Sequence, residues 1–218
     1  MKKGYKISWP IFAIQLCIVT AMLITGLLLW DKLPDQIPSH WNIEGEVDSY
    51  MDKEVWIWLF PGITLLLSLM FPFFSKIDPK KEKYVTFRRP WLILQMVFVG
   101  FFAYLYFISL YLTLNPTVSI TPFIFGGIGV LLILIGNYLG KIRQNWFLGI
   151  RTPWTLDNEE VWNKTQRVGG WSFLIAGLVI FTEAFMLWNV AWVMGIAVAV
   201  AILTPVIYSY VLHKKLTK

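Results

Sequence analysis

The densest group of side chains able to bind a partner lies between Gly149 and Arg167, in a polar stretch between two long apolar runs. Arg151 offers a planar, charged donor for an anion, a lipid phosphate or a partner's carboxylate; alternatively, it is a structural interface residue. Pro153 disfavours helix at Thr152, so the segment from Arg151 to Trp154 should be extended or turn-like. We expect a partner-binding surface here. Its candidate residues are Arg151, Thr152, Pro153, Trp154, Glu159, Trp162 and Arg167.

A second polar segment, Asp31–Glu54, holds seven acidic and two basic residues. His40 and Asp48 are of metal-ligand type, but a metal site needs three or four converging ligands. A hydrogen-bonded loop scaffold is therefore favoured over a metal. A third interpretation is an acidic receptor surface for a cationic or amphipathic peptide arriving from outside. The recognition residues expected in this loop are His40, Trp41, Asn42, Gly45 and Asp48.

The segments between these polar stretches are long enough to cross a membrane. The 218 residues are 57% hydrophobic and 15% charged, against about 25% charged in a soluble domain. About 20 apolar residues span a bilayer as a helix, which satisfies its own backbone there. The sequence therefore predicts an all-α, polytopic integral membrane protein with six transmembrane helices. They are Trp9–Trp30, Val55–Phe74, Trp91–Thr113, Pro122–Lys141, Gly170–Trp188 and Val190–Leu212.

Basic residues indicate the orientation of these helices. With six spans, 17 of the 19 lysines and arginines fall in the two tails and in the second and fourth connectors, on one side. Basic residues favour the cytoplasmic side, so both termini are predicted to be cytoplasmic, with 31–54 and 115–121 outside. The net charge of +6 is therefore interpreted as part of the membrane topology and not as a nucleic-acid-binding surface, so no direct nucleic-acid partner is expected.

Between the fourth and fifth spans, residues 142–169 are predicted to form a cytoplasmic amphipathic connector. Asp157 begins a capping-box-like pattern, Arg167 falls in the last turn, and Gly169–Gly170 would end the helix. The sequence thus predicts a short amphipathic helix in this connector, which should lie along the inner leaflet in contact with membrane lipid.

Helix packing and membrane anchoring also leave patterns in the spans. Two small-residue pairs, Gly136 with Gly140 and Gly195 with Ala199, predict close approach of helix backbones. Tryptophans near span ends are predicted to be interfacial anchors. These are Trp9, Trp30, Trp56, Trp91, Trp146, Trp171 and Trp188.

The catalytic inventory is poor. His40 and His213 are predicted on opposite sides of the membrane, and the sequence carries neither a phosphate-binding glycine loop nor a serine-nucleophile motif. The single cysteine, Cys17, excludes an intrachain disulfide and a metal site built on thiolates alone. We therefore expect no enzyme, cofactor or metal. Glu183, a lone acid inside the fifth span, is a functional candidate because a buried charge is costly there, although it lies near enough to the outer end to snorkel.

The run Gly149–Leu156, GIRTPWTL, together with Glu159, Trp162 and Arg167, resembles the hallmark of the SdpI-type bacteriocin-immunity family of bacterial membrane proteins. The pattern LPxxIPxHWNxxGxxD, from Leu33 to Asp48, is similar to a domain of unknown function commonly found N-terminal to that family. The resemblance covers nearly the whole chain. It divides the chain into a three-span region, 1–113, with the acidic outer loop 31–54, and an SdpI-like three-span region, 114–218.

The resemblance implies a six-span protein of the bacterial cell membrane. The family's namesake protects a producing cell from its own secreted toxic peptide and holds a transcriptional repressor at the membrane. The implied partners are therefore a secreted toxic peptide outside and a cytoplasmic transcriptional repressor inside. The alternative function is a small-molecule transporter or exporter of the inner membrane. Polar residues within spans suggest it, namely Gln15, Gln95, Asn137 and Glu183.

Overall fold

The computed structural model describes residues 5–42 and 45–217; of the charged residues of the tails and the acidic loop, Lys2, Lys3, Lys218 and Glu44 lie outside the described residues. The described chain includes two short 3₁₀ helices, at Trp30–Lys32 and Lys81–Val85. Its α-helices and strands are, in order, α1 (Trp9–Leu28), β1 (Gln36–Trp41), β2 (Val47–Asp52), α2 (Lys53–Ile77), α3 (Arg88–Leu114), α4 (Thr121–Leu139), α5 (Pro153–Asp157), α6 (Glu159–Met186) and α7 (Val190–Leu216).

Six helices of the described chain, α1 to α4, α6 and α7, are long and apolar enough to cross a membrane. This confirms the all-α class and the number of spans. The antiparallel sheet of β1 and β2 is an addition that the sequence analysis did not anticipate. Which side of the membrane holds the termini stays a prediction.

The predicted short helix on the inner leaflet is wrong. The helix beginning at Glu159 does not end at Gly169–Gly170 but continues as the fifth span to Met186. Glycine weakens an exposed helix, but both of these glycines are buried against neighbouring helices. Packing therefore outweighs the low helix propensity of glycine, and residues 159–169 are the first turns of a transmembrane helix.

The start of α6 also differs from the predicted capping box at Asp157. The N-cap is Asn158, whose side-chain oxygen accepts the backbone N–H groups of Glu160 (2.8 Å) and Val161 (3.1 Å). Asp157 instead ends the preceding helix α5, which has its own capping box. The extended backbone of Asn158 separates the two helices.

Close packing of α4 against α6 depends on glycines. A Cβ on Gly136 would lie 2.6 Å from the carbonyl oxygen of Gly170, and one on Gly170 would lie 2.8 Å from that of Gly136. The predicted role of Gly136 and Gly140 in helix packing is confirmed. The same prediction for Gly195 is wrong for packing within this chain, because no atom of residues 5–42 or 45–217 lies within 4 Å of a Cβ built there.

Aromatic side chains fill the interior among α1, α2 and α3. Near β1, Trp56 stacks on Tyr106 at 4.7 Å, and towards the other membrane face Trp91 packs edge-on against Tyr84 at 4.8 Å. Trp56 and Trp91 are fully buried, so these two are core residues and not interfacial anchors. Each ring points inward from the end of its helix and packs between helices. Trp9, Trp146, Trp171 and Trp188 are exposed, as an anchor requires.

Candidate functional site

A buried carboxylate joins the loop between α2 and α3 to the connector between α4 and α6. Asp78 Oδ2 accepts the Tyr84 hydroxyl (2.9 Å) and the backbone N–H of Trp146 (2.9 Å). Its Oδ1 accepts the N–H of Lys80 at 2.7 Å. Burial, reinforced by the hydrogen bond to Asp78, raises the pKa of Tyr84 above its ordinary value, so the phenol stays protonated and remains a donor.

Two buried amides give the connector its shape. Asn145 Oδ1 accepts the N–H groups of Phe147 (2.8 Å) and Leu148 (2.7 Å), and its Nδ2 donates to the carbonyls of Arg143 and Leu148. Gln144 Nε2 donates to the carbonyls of Thr155 and Leu156, both at 2.8 Å. Buried backbone groups need such partners, so the connector is a specific folded structure and not a flexible tether.

The connector is also fixed to α6 at Gly149 and Ile150. Gly149 has φ +117, a conformation suited to glycine, and a Cβ there would lie 3.0 Å from both Gln166 Oε1 and the Trp162 ring. Gln166 Nε2 donates to the Ile150 carbonyl (2.9 Å), and its Oε1 accepts the Ile150 N–H (3.0 Å). The Trp162 indole N–H donates to the carbonyl of Ile142 at 2.8 Å.

A third attachment reaches α7. Thr152 caps α5, and its hydroxyl lies 3.1 Å from the hydroxyl of Ser209. The Trp154 ring lies 5.0 Å from the ring of Tyr210. The connector thus contacts the last transmembrane helix through a hydroxyl pair and an aromatic pair.

The predicted partner-binding residues differ in how far the folded connector leaves them exposed to solvent. Thr152 and Trp162 are buried, so they cannot contact a partner directly and instead support the connector. Trp154 is half-buried against α7. The residues that remain exposed are Arg151, Pro153, Glu159 and Arg167.

Two of the exposed residues have partners within the chain. Arg151 Nη1 donates to the carbonyl of Trp146 at 2.5 Å, which orients the guanidinium but leaves it exposed. Glu159 accepts a hydrogen bond from Lys83 Nζ at 2.7 Å, which is a further contact between the connector region and the loop before α3. The exposed cations and anion can therefore present a defined charge pattern to a partner.

On the opposite face, β1 and β2 form a hairpin whose tip leans on α4. Asn42 closes its turn by accepting the N–H of Glu46 on its side chain (2.8 Å) and the N–H of Gly45 on its carbonyl (3.0 Å). Gly45 has φ +84, and a Cβ there would lie 2.8 Å from the hydroxyl oxygen of Thr121. Both the turn and the contact with α4 therefore favour glycine at this position.

His40 and Asp48 pair across this hairpin. His40 Nδ1 lies 2.6 Å from Asp48 Oδ1, with the two side chains 69% and 42% exposed. Within the described ranges, no group of three or more histidine, cysteine, aspartate or glutamate side chains is placed to hold a metal. The pair is thus accounted for as a hydrogen bond that links the two strands.

A cavity of about 580 Å³ lies beneath the hairpin. Four of the five predicted outer recognition residues, His40, Trp41, Asn42 and Gly45, line it. Asp48 does not line the cavity, but it makes a hydrogen bond to His40, which does. The helices contribute mainly apolar walls, including Phe60, Ile124 and Met194. The structure therefore brings the predicted residues together around a largely apolar space with a polar rim.

Glu183 belongs neither to the connector surface nor to the cavity beneath the hairpin. It is buried, and its Oε1 accepts the backbone N–H of Asn189 at 2.6 Å. Leu187, between them, takes the left-handed conformation with φ 53. The carboxylate thus closes the tight turn that joins α6 to α7, which is a structural use of this acid.

Sequence reasoning missed Asp78, Gln144, Asn145 and Gln166. The sequence contained one signal, since Gln144 and Asn145 are two adjacent amides just beyond an apolar span and just before the GIRTPWTL run. Their partners are distant along the chain. Pairing of Asp78 with the N–H of Trp146 leaves no trace in local spacing.

Comparisons with known proteins match two parts of the chain to known families. Residues 141–209 match the SdpI/YfhL protein family, and residues 17–65 match a domain of unknown function, DUF1648. Over 204 residues the chain is 28% identical to the immunity protein SdpI of Bacillus subtilis (strain 168), covering 93% of this chain and 96% of that protein. No solved structure matches the chain. The resemblance drawn from the sequence is confirmed, and the chain is a multi-pass bacterial membrane protein.

Proposed function

We propose that this chain, whose residues 141–209 match the SdpI/YfhL protein family, is a membrane immunity protein that gives resistance to a secreted toxic peptide. The observation that carries the proposal is the 28% identity to the immunity protein SdpI over nearly the full length of both chains. That similarity extends over both the outer hairpin and the connector. The SdpI family is an immunity family and not an enzyme family, and the same class is proposed here.

The cavity beneath the hairpin, here called the outer cavity, has a lining suited to binding such a peptide. Its apolar walls can bury an apolar or aromatic side chain, which provides most of the binding free energy. Asp48 and Glu46 are exposed on the hairpin around it, and acidic groups there attract a cationic peptide from outside. We assign toxin recognition to the hairpin and this cavity.

The exposed connector residues suit a different partner. Arg151 offers N–H donors to a carboxylate, and Pro153 stands beside it at the first turn of α5. We assign to this surface the docking of a cytoplasmic transcriptional repressor, which would then be held at the membrane when toxin is present. The proposal requires the connector to face the cytoplasm, as the distribution of basic residues predicts.

One helix contacts both surfaces. Near its start, α7 lines the outer cavity through Ala191 and Met194, and near its end it contacts the connector through Ser209 and Tyr210. From Met194 to Ser209 the helix rises about 22 Å. A small shift or rotation of α7 on toxin binding would therefore reach Thr152 and Trp154, and a toxin that binds only the shifted state would bias the connector.

The competing transporter function receives less support. Gln15 and Gln95 are buried within spans, but neither lines the outer cavity. The carboxylate of Glu183 is engaged by the turn before α7. Solute flux measured in proteoliposomes would favour the transporter.

Survival under toxin challenge tests the immunity proposal. The chain would be expressed in Bacillus subtilis lacking its SdpI and exposed to the culture fluid of the parent strain. A chimera carrying the relative's hairpin in place of residues 31–54 would be tested beside it, with the relative itself as positive control. Rescue by the chain, or by the chimera alone, supports immunity, and rescue by the chimera alone would assign peptide choice to the hairpin. If both reach the membrane and neither protects, the proposal is wrong.

A further inference from the structure

A long apolar groove runs along the contact between α3 and α4. Its volume is about 1280 Å³, and its walls are almost entirely apolar. They include Met96, Gly100, Phe101 and Val130 from α3 and α4, with Phe181 from α6. The groove lies between α3, the last helix of the N-terminal region, and α4 and α6 of the SdpI-like region.

Two arginines line one end of the groove. Arg88 and Arg89, in the first turn of α3, are both exposed. The side chain of neither arginine makes an ion pair or a hydrogen bond with another residue of the described chain. By contrast, Lys83 in the preceding loop forms an ion pair with Glu159. Arg88 and Arg89 thus provide positive charge with no acid to balance it, at the level where lipid headgroups lie.

The dimensions of the groove match a lipid chain. The stretch of α3 that lines it, from Arg88 to Tyr104, rises about 24 Å, against a hydrocarbon core of about 30 Å. An acyl chain that starts at the arginines would therefore extend past the middle of the bilayer. Guanidinium groups bind phosphate through two parallel N–H donors, so the arginine end of the groove is chemically suited to a lipid phosphate.

We propose that the groove is a binding site for an anionic phospholipid, with its phosphate on Arg88 and Arg89 and an acyl chain between α3 and α4. The charge pattern favours this occupant over the other candidates. A cationic peptide would be repelled at the arginine end. A second copy related by two-fold symmetry would have to supply carboxylates, and the described lining contains none.

Bound lipid would fill the space between the two helix groups and so stabilise their association. The full chain, purified in a neutral detergent, would be titrated with phosphatidylglycerol or with phosphatidylcholine of the same acyl chains. Thermal unfolding would report stabilisation, and native mass spectrometry would count retained lipid. We expect phosphatidylglycerol to raise Tm by about 3 °C or more, a shift typical of about 1 kcal/mol for a chain of this size, and phosphatidylcholine to do so much less.

Two variants with matched controls locate the site. Arg88→Gln with Arg89→Gln should remove the preference for phosphatidylglycerol, whereas Lys214→Gln with Lys215→Gln, exposed at the end of α7, should keep it. Gly100→Leu should fill the groove and reduce retention of both lipids. It has room to fold, because no described residue has an atom within 4 Å of a Cβ at Gly100, and Gly195→Leu offers the same open space away from the groove. Equal effects of the two lipids on the wild-type chain, or an unchanged preference in the double arginine variant, would overturn the proposal.

Discussion

The side-chain amide of Gln166 makes two hydrogen bonds to the backbone of Ile150, as the backbone of a neighbouring strand would. The amide donates to the Ile150 carbonyl at 2.9 Å and accepts the Ile150 N–H at 3.0 Å. The Thr155 hydroxyl also donates to that carbonyl, at 3.0 Å. The segment just before Arg151 is therefore held by α6, which explains how an exposed arginine can occupy a defined position.

Loss of this clamp should loosen the connector. Gln166→Leu leaves the Ile150 N–H without a partner, while its carbonyl keeps Thr155. A buried donor without a partner costs about 1–3 kcal/mol, so we expect a lower Tm in detergent and faster proteolysis between residues 146 and 158. The neighbouring Arg167→Gln, at an exposed position, is the control and should leave both unchanged. Equal protease resistance of the two variants would show that the clamp is dispensable.

The sequence predicted the spans better than the connector, for a physical reason. Apolar runs such as Pro122–Lys141 are local, and within a bilayer a helix is the regular structure that satisfies the backbone of a single segment. The connector depends instead on contacts distant in sequence, such as Asp78 with Trp146 and Lys83 with Glu159. No spacing rule encodes those pairs.

Gly169 and Gly170 show why one local signal misled. A glycine pair after a basic turn usually ends a helix, and the sequence alone offers no view of α4. The carbonyl of Gly136 occupies the space that a side chain at Gly170 would need. The glycines therefore serve contact between helices, and the helix continues through them.

That contact predicts a large effect from one methyl group. In Gly170→Ala the new Cβ would lie 2.8 Å from the carbonyl oxygen of Gly136, which is backbone and cannot rotate away. Overpacking of this kind costs about 1–3 kcal/mol, which thermal unfolding in detergent would measure. Gly62→Ala in α2 is the control, because in the described part of the chain no atom lies within 4 Å of a Cβ there, and it should be neutral or slightly stabilising. A Gly170→Ala protein as stable as this control would contradict the packing.

Topology has its own test. We predict both termini inside and the hairpin outside, from the distribution of basic residues. In a Cys17→Ser background, Ser49→Cys on the exposed face of β2 should react with an impermeant maleimide in intact cells. Thr217→Cys, exposed just beyond α7, should react only after lysis. The reverse pattern would place the connector outside and remove the basis for a cytoplasmic partner.

The most informative prediction separates the two proposed surfaces. Asp48→Asn removes the charge that pairs with His40 at 2.6 Å, so it should weaken protection against the toxin, and repressor recruitment should fall with it because no signal enters. Arg151→Lys keeps the charge but loses the planar donor pair, so it should reduce recruitment while leaving part of the protection. Survival under toxin and membrane co-localisation of the repressor would be measured in the same strains, after equal membrane levels are verified. Ser209→Ala, which removes the hydroxyl facing Thr152 at 3.1 Å, should resemble Arg151→Lys if α7 carries the signal. If all three variants lose both properties in equal proportion, a single site or a general folding defect explains the protein better than two surfaces joined by α7.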